Sequence, residues 1–311
     1  MIPSLATPIT LAISPDTALA LNILPSIPAG GTSGLTFSRA GYCKMLTGQV
    51  TDWNSADPDF ISQNVDPVSG VAQLFSIDPL PLRVGYRSDG SGTAFLFTQH
   101  MTAIQAACNS TLYQGAAETM PAGLPANFTS ASSGRVEAAI LGPDHVGNIG
   151  YLSPDFTAQS SVVPAHPAVT ANLVNAANVV QPPSPQATTA GMGNVDPPTG
   201  TDRANPLNWV PLVVDPVSPS AYPMVGYTTQ EFCTCYNVTS GTDVKANGIR
   251  GYLTWALSSP DAVPDLVLND NGFAPLPASW KSAILDTFVT GDANNLQIRV
   301  GPVLGVCSGG A

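Results

Sequence analysis

Residues 8–14 (Pro-Ile-Thr-Leu-Ala-Ile-Ser) form an uncharged apolar run, the pattern of a buried strand. Apolar positions then recur at helical spacing over residues 35–46, with Ser38 as the N-cap and Gly48 as the stop. The stretch 52–71 reads as loop, and residues 82–86 alternate as a short strand. A helix is expected from about residue 93 to residue 108, because Phe97, Met101, Ile104 and Cys108 share one face. A second helix is expected over 134–141 with Ser133 as its cap, and a strand over 147–152. Residues 180–206 are proline-rich and read as a long surface excursion. A strand at 222–227 and helices near 244–257 and 278–289 complete the pattern. Strands alternating with helices predict an α/β architecture.

Composition narrows the function. The chain has 311 residues with 10 Lys+Arg against 21 Asp+Glu, a formal net charge of −11. That balance excludes the basic surface a nucleic-acid binder uses to displace counterions, and it excludes a polybasic membrane anchor. The apolar stretches are short and cut by prolines, so membrane insertion is not expected. Residues 1–4 lack a basic region followed by a long apolar run, so no signal peptide is read there. With 30 Pro and 28 Gly, about one residue in five is a turn former. Few lysines and many small polar residues suit a secreted protein.

The five cysteines, Cys43, Cys108, Cys233, Cys235 and Cys307, form no CxxC pair, and there are three histidines. A structural zinc site is therefore not expected, and no other metal site or cofactor is read from the sequence. Spacing alone leaves two states open: reduced buried thiols, or disulfides with one thiol left over.

The chemistry concentrates between the strand at 82–86 and the next helix, in Arg87-Ser88-Asp89-Gly90-Ser91-Gly92-Thr93. A glycine-rich loop opening a helix presents free N–H groups at the positive end of the helix dipole. Ser91 and Thr93 add hydroxyls, and Arg87 adds a planar guanidinium suited to a tetrahedral oxyanion. Asp89 is placed to hold Arg87. The alternative is an ordinary strand–turn–helix joint capped by Ser91. The loop matches neither the Walker nor the dinucleotide pattern.

This loop, with Phe95 and Thr98 after it, resembles the phosphate loop of the periplasmic phosphate-binding proteins of ABC transporters. Residues 46–53 (Leu-Thr-Gly-Gln-Val-Thr-Asp-Trp), 147–151 (Gly-Asn-Ile-Gly-Tyr) and 222–224 (Tyr-Pro-Met) resemble further stretches of that family. Residues 151–156, 208–211 and 273–281 resemble its DING subfamily most closely. The resemblance implies a type II periplasmic-binding-protein fold, two α/β lobes joined by a hinge and clamping an anion. It implies inorganic phosphate as ligand, with Arg87, Ser91, Gly92 and Thr93 in contact and Asp89 orienting Arg87. It implies disulfides Cys43–Cys108 and Cys235–Cys307, leaving Cys233 free. Each would close a loop of roughly 65–75 residues, worth on the order of 4 kcal/mol in the chain-entropy model.

Members of that family carry some tens of residues before the point matching Met1. Residues 1–10 then correspond to a hinge strand, 11–218 to lobe two with the anion loop, and 219–311 to the C-terminal part of lobe one. On that correspondence lobe one is incomplete, and the strand near 222–228 lacks sheet partners. A second chain, a further copy or an additional N-terminal segment is expected to complete it.

Three functions follow. The first is a periplasmic or extracellular solute-binding protein for phosphate, serving an ABC permease. The second is an assembling surface protein that reuses the fold. The third is a phosphatase of the DING type, for which no nucleophile–base pair is evident. Ser91 and His100 are nine positions apart, about 13 Å along a helix. His145 reads as a loop residue, and the four tryptophans (Trp53, Trp209, Trp255 and Trp280) as packing residues.

Overall fold

Two strands occupy the first thirteen residues, in two different sheets. The computed structural model describes residues 1–23, 34–66, 68–131, 136–142, 145–157, 168–210, 212–237, 244–258, 263–291 and 296–301. β1 (Ile2–Pro8) and β2 (Thr10–Ile13) part at Ile9, whose N–H donates to Met224 O at 2.8 Å. Then come α1 (Pro15–Ala20), β3 (Thr36–Phe37), α2 (Arg39–Leu46), α3 (Pro58–Ile61), β4 (Arg83–Arg87) and α4 (Gly92–Ile104). They are followed by β5 (Phe128–Ala131), α5 (Val136–Leu141), β6 (Asn148–Leu152), β7 (Val169–Thr170), β8 (Asn172–Val174) and β9 (Val180–Gln181). The C-terminal third holds α6 (Pro185–Met192), β10 (Val225–Gln230), β11 (Cys235–Asn237), α7 (Val244–Leu257), α8 (Val263–Asp270), α9 (Ala278–Ile284) and β12 (Arg299–Gly301).

The largest sheet has the order β5-β4-β6-β2-β7. β4 runs parallel to both β5 and β6, while β2 is antiparallel to β6 and β7. α5 lies flush on this sheet because Gly150 has no side chain: a Cβ there would stand 2.2 Å from Ile140 Cδ1. Phe97, Met101, Ile104 and Cys108 are all buried, so the helical spacing did mark the packed face of α4 and the 3₁₀ turn after it. Phe37, Trp53, Phe60 and Phe75 pack as one aromatic group, and Trp53 Nε1 donates to Gly147 O at 2.8 Å.

Four expectations are corrected. Residues 180–206 are not a mere surface excursion: α6 buries Ala187, Thr188, Gly191 and Met192, and Thr189 Oγ1 donates to Pro275 O. Proline fits there because Pro185 sits in the first turn behind the Ser184 cap, where no N–H is needed. The strand expected at 222–227 begins at Val225, and it does not lack a partner. β10 pairs antiparallel with β1 from Ile2–Gln230 to Pro8–Val225. Trp53, Trp209 and Trp280 are buried, but Trp255 on α7 is 58% exposed. The short α1, α3 and α8 lay below what periodicity could detect. The Ser133 cap expected for α5 lies outside the described residues.

Candidate anion-binding site

β4 ends at Arg87 and α4 begins at Gly92, so the four-residue connection between sheet and helix, with the residues at its two ends, is the candidate loop. Ser91 is the N-cap, with extended backbone (φ −151°), and its Oγ accepts from Ala94 N at 3.4 Å. The same oxygen accepts from Arg87 Nη1 at 2.8 Å. On its other edge the guanidinium donates to Asp89, Nε to Oδ1 at 3.1 Å and Nη2 to Oδ2 at 2.6 Å. This is the bidentate geometry that a lysine cannot reproduce. Hydrogen bonding to Asp89 holds the Arg87 pKa above its ordinary value, so the charge is permanent.

The Gly92 and Thr93 amides precede the first bond of the helical ladder, Phe95 N–H to Ser91 O at 2.9 Å. A Cβ on Gly92 would meet nothing within 4 Å, so the backbone is open to an approaching ligand. Thr93 is partly exposed beside it. Asp89 neutralises Arg87 locally. An anion at this loop would meet the free amides and the dipole of α4 as well as the guanidinium.

A strap fixes the loop. Ser91 N–H donates to Glu118 O at 2.9 Å, and Thr98 Oγ1 both donates to Ala117 O and accepts from Ala117 N, each at 2.8 Å. Below, Tyr151 of β6 accepts from Arg87 N–H at 3.4 Å and stacks on Phe97, with ring centroids 4.2 Å apart. Neither the strap nor Tyr151 was read as part of the site. Residues 147–152 read as a strand, but nothing local shows that Tyr151 meets the loop.

The structure brings Arg87, Asp89, Ser91, Gly92 and Thr93 together and keeps His100 and His145 elsewhere, while His166 lies outside the described residues. His100 is buried, with Nε2 2.9 Å from Tyr42 Oη and Nδ1 without a partner among the described residues. Burial lowers its pKa to about 4. His145 lies in a turn, its N–H donating to Gly142 O. Among the described residues no three His, Cys, Asp or Glu side chains gather as metal ligands. None of the described helices is long and apolar enough to cross a membrane. A disulfide joins Cys43 of α2 to Cys108 in the turn after α4, which ties the helix carrying the amides to its neighbour. Cys233 is a free exposed thiol, and Cys235 is disulfide-bonded. Cys307, its expected partner, lies outside the described residues.

The family profile for the PBP superfamily domain matches residues 5–260. This chain belongs to the PBP superfamily. Alkaline phosphatase L of Pseudomonas aeruginosa is 31% identical over 309 aligned residues, spanning 88% of this chain and 69% of the relative. A phosphate-binding protein of an unknown prokaryotic organism is 28% identical, over 86% of this chain and 70% of its own length. A solved PBP structure, the high-affinity periplasmic phosphate-binding protein PfluDING bound with phosphate, superposes with a TM-score of 0.66 at 26% identity. That match covers 96% of this chain and 73% of that one. The ancestral soluble variant of the Human Phosphate Binding Protein superposes at 0.68 with 25% identity, covering 96% and 74%. The PBP fold and the kinship with phosphate-binding and DING proteins, both implied by the sequence resemblance, therefore hold.

Proposed function

We propose that this chain binds inorganic phosphate, as the mono- or dihydrogen anion, in the manner of a periplasmic or extracellular solute-binding protein. The observation that carries this reading is the Arg87 guanidinium. It is locked between Asp89 and Ser91 beside the open amides of Gly92 and Thr93. The phosphate-binding relatives support it. Residues 1–10 act as a hinge strand in this reading, 11–218 as the lobe holding the loop, and 219–311 as part of the other lobe. The β1–β10 pairing supports that division, since it joins both ends of the 11–218 segment. Full affinity requires enclosure of the anion from its far side as well, by further polypeptide of the same protein, a second copy or a partner chain. Delivery to an ABC permease would follow from release at the hinge.

Titration of the chain with inorganic phosphate at low salt, beside Arg87→Ala, tests the reading. Saturable binding that Arg87→Ala removes is expected. No binding up to millimolar phosphate overturns it.

Phosphatase activity is the second reading, favoured by the identity to Alkaline phosphatase L. The same loop would hold the phosphoryl group of an ester. His100 does not face Ser91, so a base would have to come from elsewhere. Turnover of p-nitrophenyl phosphate that Arg87→Ala abolishes would establish it.

A further inference from the structure

Tyr151 carries chemistry that the loop alone does not. The β4–β6 ladder stops at the Gly85–Gly150 pair. Beyond it Arg87 N–H is met by the Tyr151 phenol oxygen at 3.4 Å. The phenol thus bridges β4 and β6 at their carboxyl ends, the edge of a parallel sheet at which ligands of α/β folds are held. Its ring is 1% exposed and clamped against Phe97 in the second turn of α4, so the oxygen is fixed beneath the helix start.

Because this oxygen accepts from Arg87 N–H, its own proton points elsewhere. Among the described residues no acceptor meets that proton. Buried hydroxyls rarely leave a donor idle. Burial pushes the phenol pKa up to about 12, the Arg87 charge and N–H lowering it and Asp89 raising it. The proton therefore stays in place around neutral pH, where phosphate is the mono- or dihydrogen anion.

We propose that the Tyr151 O–H donates to an oxygen of the bound oxyanion, forming the floor of the site beneath the donors of Arg87, Ser91, Gly92 and Thr93. This rests on the phosphate reading above. Tyr151 is then a binding residue of the site and not only a core aromatic.

The test combines calorimetric titration of inorganic phosphate into the full chain and into Tyr151→Phe with ¹³Cζ-tyrosine NMR of the parent protein. Tyr151→Phe keeps the stack on Phe97 and serves to assign the resonance. The expected result is about 10-fold weaker binding, together with a phosphate-dependent shift of the Tyr151 resonance in the parent. If Tyr151→Phe does not fold, ring-proton NOEs to the stacked Phe97 assign the resonance in the parent, which then decides. Unchanged affinity, or an unmoved resonance in a parent that binds phosphate, overturns the role of Tyr151 and leaves the phosphate reading intact. A parent that binds no phosphate overturns both.

Discussion

Leu96 of α4 fills the space that a side chain on Gly226 of β10 would need. A Cβ at Gly226 would stand 2.3 Å from Leu96 Cδ1 and 2.4 Å from Cδ2. The helix that follows the candidate loop is thereby seated against the β1–β10 ribbon at this point. Gly226→Val is expected to lower stability by about 1–3 kcal/mol through overpacking. Combining it with Leu96→Ala should recover part of that loss, as urea unfolding of the two variants will show.

Arg87→Lys keeps the charge of the anion loop but loses the fork that spans Asp89 and Ser91. Phosphate affinity should fall by roughly 10–100-fold, the range of one to two charge-assisted hydrogen bonds. Asp89→Asn should weaken binding by less, because the amide oxygen still accepts one bond. Calorimetric titration of both variants checks the order.

His100 gives the fold an acid limit. Burial sets its folded pKa at about 4, below the ordinary 6.5, with Asp215 opposing and Arg39 reinforcing the shift. The folded state thus holds fewer protons than the unfolded state between those values. The stability contributed by the neutral ring is full above 6.5 and is lost as pH falls through about 4. The shift corresponds to about 3 kcal/mol. His100→Gln should flatten that part of the stability profile, measured by urea unfolding from neutral pH down to about pH 4.

Lys281 of α9 and Asp265 of α8 form a buried pair, Nζ lying 2.7 Å and 2.6 Å from the two carboxylate oxygens. Their side chains are 9% and 5% exposed. Lys281→Met strands the carboxylate and should cost about 3–5 kcal/mol. Lys281→Met with Asp265→Leu should restore most of it, because a packed apolar pair carries no desolvation penalty. A double-mutant cycle in thermal unfolding measures the difference.

Local patterns determined the α/β class, the α2 and α4 helices with their serine caps, and the loop from Arg87 to Thr93. Each depends on neighbours within a few positions: Ser38 on Gly41 N, Ser91 on Ala94 N, Arg87 on Asp89. Short-range geometry is written directly in residue order. Tertiary structure alone decided the remainder. It split residues 1–13 between two sheets, packed α6 into the core, and paired β10 with β1 across more than two hundred residues. It also brought Tyr151 under the loop from 64 positions away and placed Leu96 over Gly226. These contacts follow from strand order and helix seating, and the periodicity of a single segment carries no information about either.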